Sequence, residues 1–198
     1  MNTATLFAFA GAASCAMASV SMAGVIWDEA IDGSLSTDRF NTTNMGTLSV
    51  GSNNVIGTTV SGISKFFTIT IADGDLWTGL IVESWESADD LGFLGVVDGD
   101  FFDVDPSNPN VTQLLGYAHY GVLDVGQDIL PTMGNGPGSQ GFSAPLGPGD
   151  YSFWVRQGGP DAATWDLNFV VESSTPVVPG AGGLFALAGM GLARRRRR

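Results

Sequence analysis

The stretch KFFTITI, residues 65–71, decides the fold class. Its side chains alternate in character, with Phe67, Ile69 and Ile71 on one face and Phe66, Thr68 and Thr70 on the other. Because successive side chains of a strand point to opposite faces of a sheet, this period of two predicts a strand that buries one face in a core.

The same alternation recurs further along the chain. YSFWVRQ, residues 151–157, and TWDLNFVV, residues 164–171, both predict half-buried strands. Residues 76–85 and 91–97 predict further strands, and residues 47–50 and 54–60 predict short ones. Turn sequences separate these segments, namely ADGD, VDGD, PSNPN and LGPGD at positions 72–75, 97–100, 106–110 and 146–150. The pattern predicts a single all-β domain over residues 24–175, of the β-sandwich or jelly-roll type.

Residues 126–149 break this pattern, because glycine and proline dominate them. Such a composition predicts a long surface loop rather than a core element. The whole chain is rich in turn-forming residues, with 28 glycines and 9 prolines among 198 residues. Its single cysteine, Cys15, excludes an internal disulfide and a cysteine-based zinc site in the body.

Charge is distributed very unevenly along the chain. Five of the eight basic residues end the sequence, and only three precede them, against 20 acidic residues between Asp28 and Glu172, so the body carries a net charge of −17. Such a surface repels a phosphate backbone, which argues against a nucleic-acid partner.

Both ends have the character of targeting segments. Residues 1–23 combine an apolar stretch with small residues before a cleavage point between Ala23 and Gly24, which predicts a secretory signal peptide. The tetrapeptide AASC, residues 12–15, offers a lipoprotein signal as the alternative. Residues 176–198 combine two prolines, an apolar run without charge from position 177 to 193, and five arginines. Five like charges repel one another and must stay solvated, so a buried core helix is excluded.

The order of a proline motif, an apolar helix and a basic end resembles the PEP-CTERM sorting signal of Gram-negative bacteria. Val178 and Pro179 match the start of that motif, whereas Gly180 and Ala181 replace its Glu-Pro. The basic end is matched by Arg194, Arg195, Arg196, Arg197 and Arg198. The resemblance implies transient insertion of the tail into the inner membrane, processing by an exosortase-type membrane protease, and delivery to the cell surface or exopolysaccharide matrix.

The body is similar to bacterial pre-peptidase C-terminal (PPC-like) β-sandwiches. The similarity rests on VSGISKFFTITIADG, LGPGDYSFWVRQGG and TWDLNFVV, and on the acidic opening DEAIDGSLSTDR. Ser64 and Lys65 stand where such domains often carry acidic residues before the aromatic pair. The resemblance therefore implies a fold and carries over no role for those acids.

One acidic segment could hold a metal ion. DGDFFDVDPSNPN contains Asp98, Asp100, Asp103 and Asp105, and clustered carboxylates with amide and carbonyl oxygens are the ligands that calcium prefers. The spacing does not match an EF-hand loop. The alternative is a solvated hairpin, since Asp98-Gly99 is a strong turn pair. We expect no other cofactor.

Candidates for catalysis are sparse. His119 is the only histidine, and no nucleophile motif accompanies it. Trp154 and Trp85 could form a sugar-stacking face, although residues of this type are more often buried. The leading hypothesis is therefore a non-enzymatic exported surface or matrix protein. A calcium- or glycan-binding module is the alternative, and a hydrolase is a remote one.

Overall fold

The computed structural model describes residues 24–174. Within them the prediction of an all-β fold is confirmed, because nine strands form two mixed sheets and helices are short. The strands are β1 (Gly24–Asp28), β2 (Thr43–Thr47), β3 (Gly51–Thr59), β4 (Ser64–Ile71), β5 (Asp75–Glu86), β6 (Gly92–Asp98), β7 (Gly116–Tyr120), β8 (Gly149–Gln157) and β9 (Ala163–Ser173). The helices are α1 (Glu29–Asp32) and α2 (Leu130–Gly134), with 3-10 turns at Val111–Gln113 and Val122–Asp124. The predicted signal peptide and the predicted sorting tail lie outside the described residues.

The two sheets differ in the number of strands, and each has one edge strand that pairs in parallel with its neighbour. One has four strands in the order β1-β3-β9-β5, and the other has five in the order β2-β4-β8-β6-β7. In each sheet the first strand pairs in parallel with its neighbour, and all the remaining strand pairs are antiparallel. β2 lies at 43–47, so the short strand predicted over residues 47–50 is displaced toward the N-terminus.

The alternation seen in the sequence builds the core between the sheets. Phe67 of β4 stacks on Phe153 of β8, with ring centroids 4.8 Å apart, and Phe169 of β9 reaches across to Phe153 at 5.2 Å. Trp77 of β5 contacts Phe169 at 5.7 Å. All four side chains are fully buried. We call this inter-sheet cluster the main core.

A buried ion pair joins the two sheets at one end of the main core. The Lys65 ammonium on β4 lies 2.6 Å from a carboxylate oxygen of Glu29 on α1, and both side chains are less than a tenth exposed. Glu29 also accepts hydrogen bonds from the amides of Leu35 and Thr58, each at 2.6 Å. Burial disfavours the ionised carboxyl, but the hydrogen bonds from Lys65, Leu35 and Thr58 outweigh it and lower the pKa of Glu29.

The prediction that residues 126–149 form only a surface loop is wrong. Ile129, Leu130 and Met133 lie in or beside α2 and are buried in the main core, as is Leu146. Backbone hydrogen bonds attach this segment to β5, between the Trp77 and Leu146 amides and carbonyls and from Ile129 to Leu80. The segment covers the edge of the four-stranded sheet, which glycine and proline content alone did not indicate.

Among residues 24–174 no helix has both the length and the apolar character that a membrane crossing requires.

Candidate functional site

The outer face of the five-stranded sheet carries one uninterrupted cross-strand row of side chains. Arg156 on β8 lies opposite Ser64 on β4 and opposite Phe93 on β6, and Phe93 in turn lies opposite His119 on β7. Because directly opposed residues share a face of the sheet, these four side chains project on the same side. The row places a guanidinium, an aromatic ring and an imidazole next to one another.

A second row runs beside the first, one side-chain position along the strands. It contains Phe66, Trp154, Gly95 and Tyr117, which are also register partners. Phe66 and Trp154 are buried because residues 99–115 fold over this face. Together they form a second hydrophobic cluster, the outer cluster, which consists of Phe66, Val97, Phe102, Val104, Leu114 and Trp154.

Residues 99–115, the covering segment, are attached to the sheet at both ends. The Gly99 amide donates to the Asp150 carbonyl at 2.8 Å, and the Leu115 amide donates to the Val96 carbonyl at 2.9 Å. The Ser152 hydroxyl donates to the Gly99 carbonyl at 2.8 Å. In its middle, the Phe102 ring packs 5.6 Å from the Phe66 ring. The covering segment therefore hides the second row and leaves the first row at its margin.

Phe93 is the centre of an aromatic group in these rows. Its ring centroid lies 4.7 Å from that of Trp154, 5.4 Å from that of His119 and 5.8 Å from that of Tyr117. The Trp154 indole is fixed by a 2.9 Å hydrogen bond to the Ser64 hydroxyl. A Cβ at Gly95 would approach the Phe93 ring to 3.2 Å, so glycine makes room for this packing. The partly buried Phe93 ring is thereby held in one orientation.

Between the first row and the covering segment lies an elongated groove made of two cavities. Arg156 lines both of them, so they are neighbours on this face of the sheet. The larger cavity has a volume of about 820 Å³ and its walls include Arg39, Phe40, Ile63, Asp38 and Asp105. The smaller has a volume of about 380 Å³ and is lined by Leu91, Phe93, Pro109, Val111, Leu114, His119, Trp154, Arg156 and Gly158.

The three basic residues of the body have different surroundings. Lys65 is bound to Glu29. Arg39 donates to the Asp103 carbonyl, and its guanidinium lies 4.1 Å from the centre of the Phe40 ring. Within the described chain, the Arg156 guanidinium forms neither a hydrogen bond nor an ion pair, and the residue is held by the backbone pairing of β8 alone. The groove therefore contains one engaged and one unpartnered arginine.

The opposite outer face, on the four-stranded sheet, has the reverse character. There the Asn54 amide donates to the Asp166 carboxylate at 2.8 Å, and the Asn168 amide donates to the Glu83 carboxylate at 2.8 Å. Burial raises the pKa of Asp166 above its ordinary value, and the neighbouring Glu83 and Asp28 charges add to the effect. Acidic and amide groups occupy this face, whereas the groove combines aromatic rings and two arginines with the carboxylates of Asp38 and Asp105.

Of the four aspartates predicted to hold calcium, Asp98 ends β6 and the other three lie at the start of the covering segment, and all are exposed. The carbonyl oxygens of Asp100 and Asp103 accept hydrogen bonds from Thr68 and Arg39. Asp105 accepts from the amide and hydroxyl of Ser107, which lower its pKa, with a smaller contribution from Arg39. In the part of the chain that the structure describes, no three His, Cys, Asp or Glu side chains lie together as a metal site requires. The calcium site, with Asp98 as its first ligand, stays a prediction.

The other candidates are now located as follows. Trp85 and Trp154 are 5% and 3% exposed, so burial rather than a free stacking surface is the correct interpretation of both tryptophans. His119 is exposed on β7, and its ring neighbours are Phe93 and Tyr117. The predicted sorting residues and the signal cleavage residue Ala23 lie outside residues 24–174, whereas Gly24 begins β1.

Sequence reasoning overlooked Arg156 and Phe93. A usable indication was present, because Arg156 is one of only three basic residues before the tail and follows a tryptophan by two positions on the face opposite Phe153. An aromatic and a basic side chain on the outer face of one strand indicate that this face has a contact or a binding role besides exposure to solvent.

No family model matches this chain, and no curated protein matches it significantly. The PEP-CTERM and PPC-like resemblances therefore stay predictions.

Proposed function

We propose that the protein is a non-enzymatic, exported cell-surface or exopolysaccharide-matrix protein whose β-sandwich domain binds polysaccharide in the groove. The observation that carries this proposal is the open row of Arg156, Phe93 and His119 beside the covering segment. An aromatic ring packs against the apolar C–H face of a sugar, while guanidinium and imidazole groups hydrogen-bond to its hydroxyls.

The form of the groove favours a polymer over a small metabolite. It consists of two cavities that share Arg156 as a lining residue, and its lining includes residues of four neighbouring strands of the sheet. Neighbouring strands lie about 4.8 Å apart, so a row of four strands covers about 14 Å. That length accommodates more than one sugar ring, as binding to a chain requires.

Export is supported by the two predicted segments themselves. Residues 1–23 have the apolar stretch and the small residues of a signal peptide, and residues 176–198 have the proline motif, apolar run and arginine cluster of a sorting tail. We propose that the mature protein lacks residues 1–23 and the segment beyond about Pro179.

The sorting proposal is tested in the native cell. Replacing Val178 and Pro179 by alanine should retain the uncut protein in the inner membrane. Intact-mass spectrometry of the surface form should give a mass without the five terminal arginines. A surface form that still contains Arg194 to Arg198 would contradict processing, and an intact cytoplasmic protein would contradict export.

The non-enzymatic assignment is supported by the surroundings of the candidate acids and base. His119 is flanked by aromatic rings. In the larger cavity Asp38 accepts from the Phe40 amide and Asp105 from Ser107, so each carboxylate is engaged in a local turn. Hydrolysis of a bound polysaccharide that His119→Ala abolishes would replace this assignment by a hydrolase.

Polysaccharide binding is tested by affinity electrophoresis of the full-length protein in gels that contain neutral and acidic polysaccharides. Phe93→Ala should weaken retention by about tenfold, or about 1.4 kcal/mol, because the stacking ring is lost. Ile31→Ala is the control, since Ile31 is an apolar side chain, 81% exposed, on α1 beside the other sheet. Equal retention of Phe93→Ala and Ile31→Ala would refute the groove as the binding site.

A further inference from the structure

The groove contains most of the few basic residues of a strongly acidic domain. The body carries a net charge of −17, with only three basic residues before the tail. Two of them, Arg39 and Arg156, line the same groove. Solubility alone does not require two of the three basic residues to lie in one groove lined by aromatic side chains.

Arg156 is the cation that is free to bind a ligand. Arg39 is engaged with the Asp103 carbonyl and the Phe40 ring, and its cavity also contains Asp38 and Asp105. No acidic residue lines the smaller cavity, where Arg156 and His119 lie on either side of Phe93. An anionic group in the smaller cavity would therefore meet hydrogen-bond donors and no carboxylate in the cavity wall.

The surroundings of Arg156 strengthen the attraction between its guanidinium and a bound anion. Its neighbours across the sheet are Phe93 and Ser64, and the buried Trp154 lies two residues away on β8. Apolar rings lower the local dielectric, and a guanidinium presents a planar fork that matches a carboxylate.

We propose that the groove selects a polysaccharide that carries carboxylate groups, with a uronic acid carboxylate bound by Arg156 in the smaller cavity. The inference rests on the proposed function and adds the substrate class. Phe93 supplies the contact for the sugar ring, and Arg156 is the residue that determines specificity. His119 completes the cavity on the other side of the ring.

The charge of the body argues against a nucleic acid as the ligand. Nucleic-acid binding requires several cations along a backbone, whereas this groove offers one unpartnered guanidinium within an acidic surface. For the same reason, acidic polysaccharides gain no diffuse attraction to the rest of the surface. Any binding of a polyuronate therefore reports on the groove.

The experiment uses the full-length protein and pairs of polymers in which the carboxylate is the only difference, with dextran and dextran sulfate for comparison. Retention is measured in gels that contain polygalacturonate, polymannuronate, their carboxyl-reduced forms, neutral dextran or dextran sulfate. We expect at least one polyuronate to bind ten times more tightly than its reduced form. Arg156→Gln should abolish that difference, and Arg156→Lys should restore part of it.

A matched control separates the site from net charge. Gln127→Glu lowers the net charge by the same amount as Arg156→Gln, and the Gln127 carbonyl binds the Val82 amide of β5 in the other sheet. We expect Gln127→Glu to bind polyuronate within twofold of the unmodified protein. An equal loss in both variants would assign the effect to net charge and overturn the inference. Thermal unfolding of each variant establishes that the fold is kept.

The remaining outcomes distinguish this inference from the proposed function. Retention on dextran that depends on Phe93, without preference for either polyuronate, would overturn the carboxylate inference and leave polysaccharide binding in place. Equal affinity for dextran sulfate and a polyuronate would replace carboxylate selection by general anion binding. No retention on any polymer would overturn both proposals.

Discussion

The main core and the outer cluster are built from neighbouring residues of the same strands. On β4, Phe67 faces the main core and Phe66 faces the outer cluster, and on β8, Phe153 and Trp154 divide in the same way. The main core joins two sheets, whereas the outer cluster joins one sheet to the covering segment. The first creates the fold, and the second creates the groove at its margin.

The difference explains how an all-β domain comes to have an open groove on one outer face. A sheet buries one face to become stable, and the other face is available for solvent or for function. Here the second face of the five-stranded sheet is partly covered, so a row that includes Arg156 and Phe93 is left at the border of an apolar cluster. Rigid aromatic packing and partial exposure coexist only at such a border.

The largest expected effect comes from a cavity in the main core. Phe169→Ala should lower the free energy of unfolding by about 3 to 5 kcal/mol, because it removes a fully buried ring that touches Phe67, Trp77 and Phe153. Urea unfolding followed by tryptophan fluorescence measures the loss. Phe169→Leu keeps most of the volume and should cost under about 1.5 kcal/mol. A loss below about 1 kcal/mol for the alanine variant would contradict the assignment of this cluster as the stabilising core.

The sequence predicts those parts of the fold that depend on interactions between residues close together in the chain. The period of two predicts β4, β8 and β9 because alternation is a local property that burial enforces along each strand. It also assigns the inward and outward faces of KFFTITI correctly.

The rest depended on contacts between distant parts of the chain. β1 is short and only partly buried, and it is held by parallel pairing with β3. α2 has the sequence LPTMG, and the sequence around it shows no helical periodicity. The helix is stabilised by burial of Leu130 and Met133. The groove needs the covering segment to fold back across β8 and β6, and a pattern within one segment does not specify that.

The same comparison shows which outward residues could have predicted the outer cluster from the sequence. Of the outward residues of β4 and β8, Phe66 and Trp154 are aromatic, although a solvated face would hold polar residues there. Two large apolar residues on the solvent side of neighbouring strands predict that something covers that face. We regard such pairs as a usable sequence indication of a second cluster.

The ion pair at the end of the main core should produce the next largest effect, and one that depends on pH. Glu29→Gln leaves Lys65 buried without its counter-charge, which should cost about 3 kcal/mol at pH 7. Because the folded-state pKa of Glu29 lies below its ordinary value of 4.5, the carboxylate contributes stability above that pH and loses it as the pH falls through the folded-state pKa.

The difference in unfolding free energy between the unmodified protein and Glu29→Gln should therefore shrink on acidification below pH 4.5. Urea unfolding at several values from pH 7 to pH 3 measures it, and the Glu29→Gln/Lys65→Met double variant should recover part of the loss. A difference that stays constant over this range would show that the pair contributes no charge-dependent stability.

The smallest of these effects on stability should come from the outer cluster, and it decides whether the two regions are one cooperative unit. Phe102→Ala removes a ring as fully buried as Phe169, in contact with Phe66 and Trp154. We expect the covering segment to detach while the two sheets stay packed, and such local opening would limit the loss to about 1 to 2 kcal/mol. The neighbouring Phe101→Ala is the control, since Phe101 is 44% exposed and its loss should stay within about 0.5 kcal/mol.

Hydrogen exchange distinguishes detachment from global loss. In Phe102→Ala, the amides of Gly99 and Leu115, which attach the covering segment to the sheet, should exchange much faster than in the unmodified protein. The β9 amides should keep nearly their full protection, because their partners lie in the other sheet. Polyuronate retention should also fall in this variant, because the groove loses its wall while Arg156 remains. If β9 exchanged faster by the same factor as Gly99, the outer cluster would belong to the same folding unit as the main core, and the division of roles between them would be wrong.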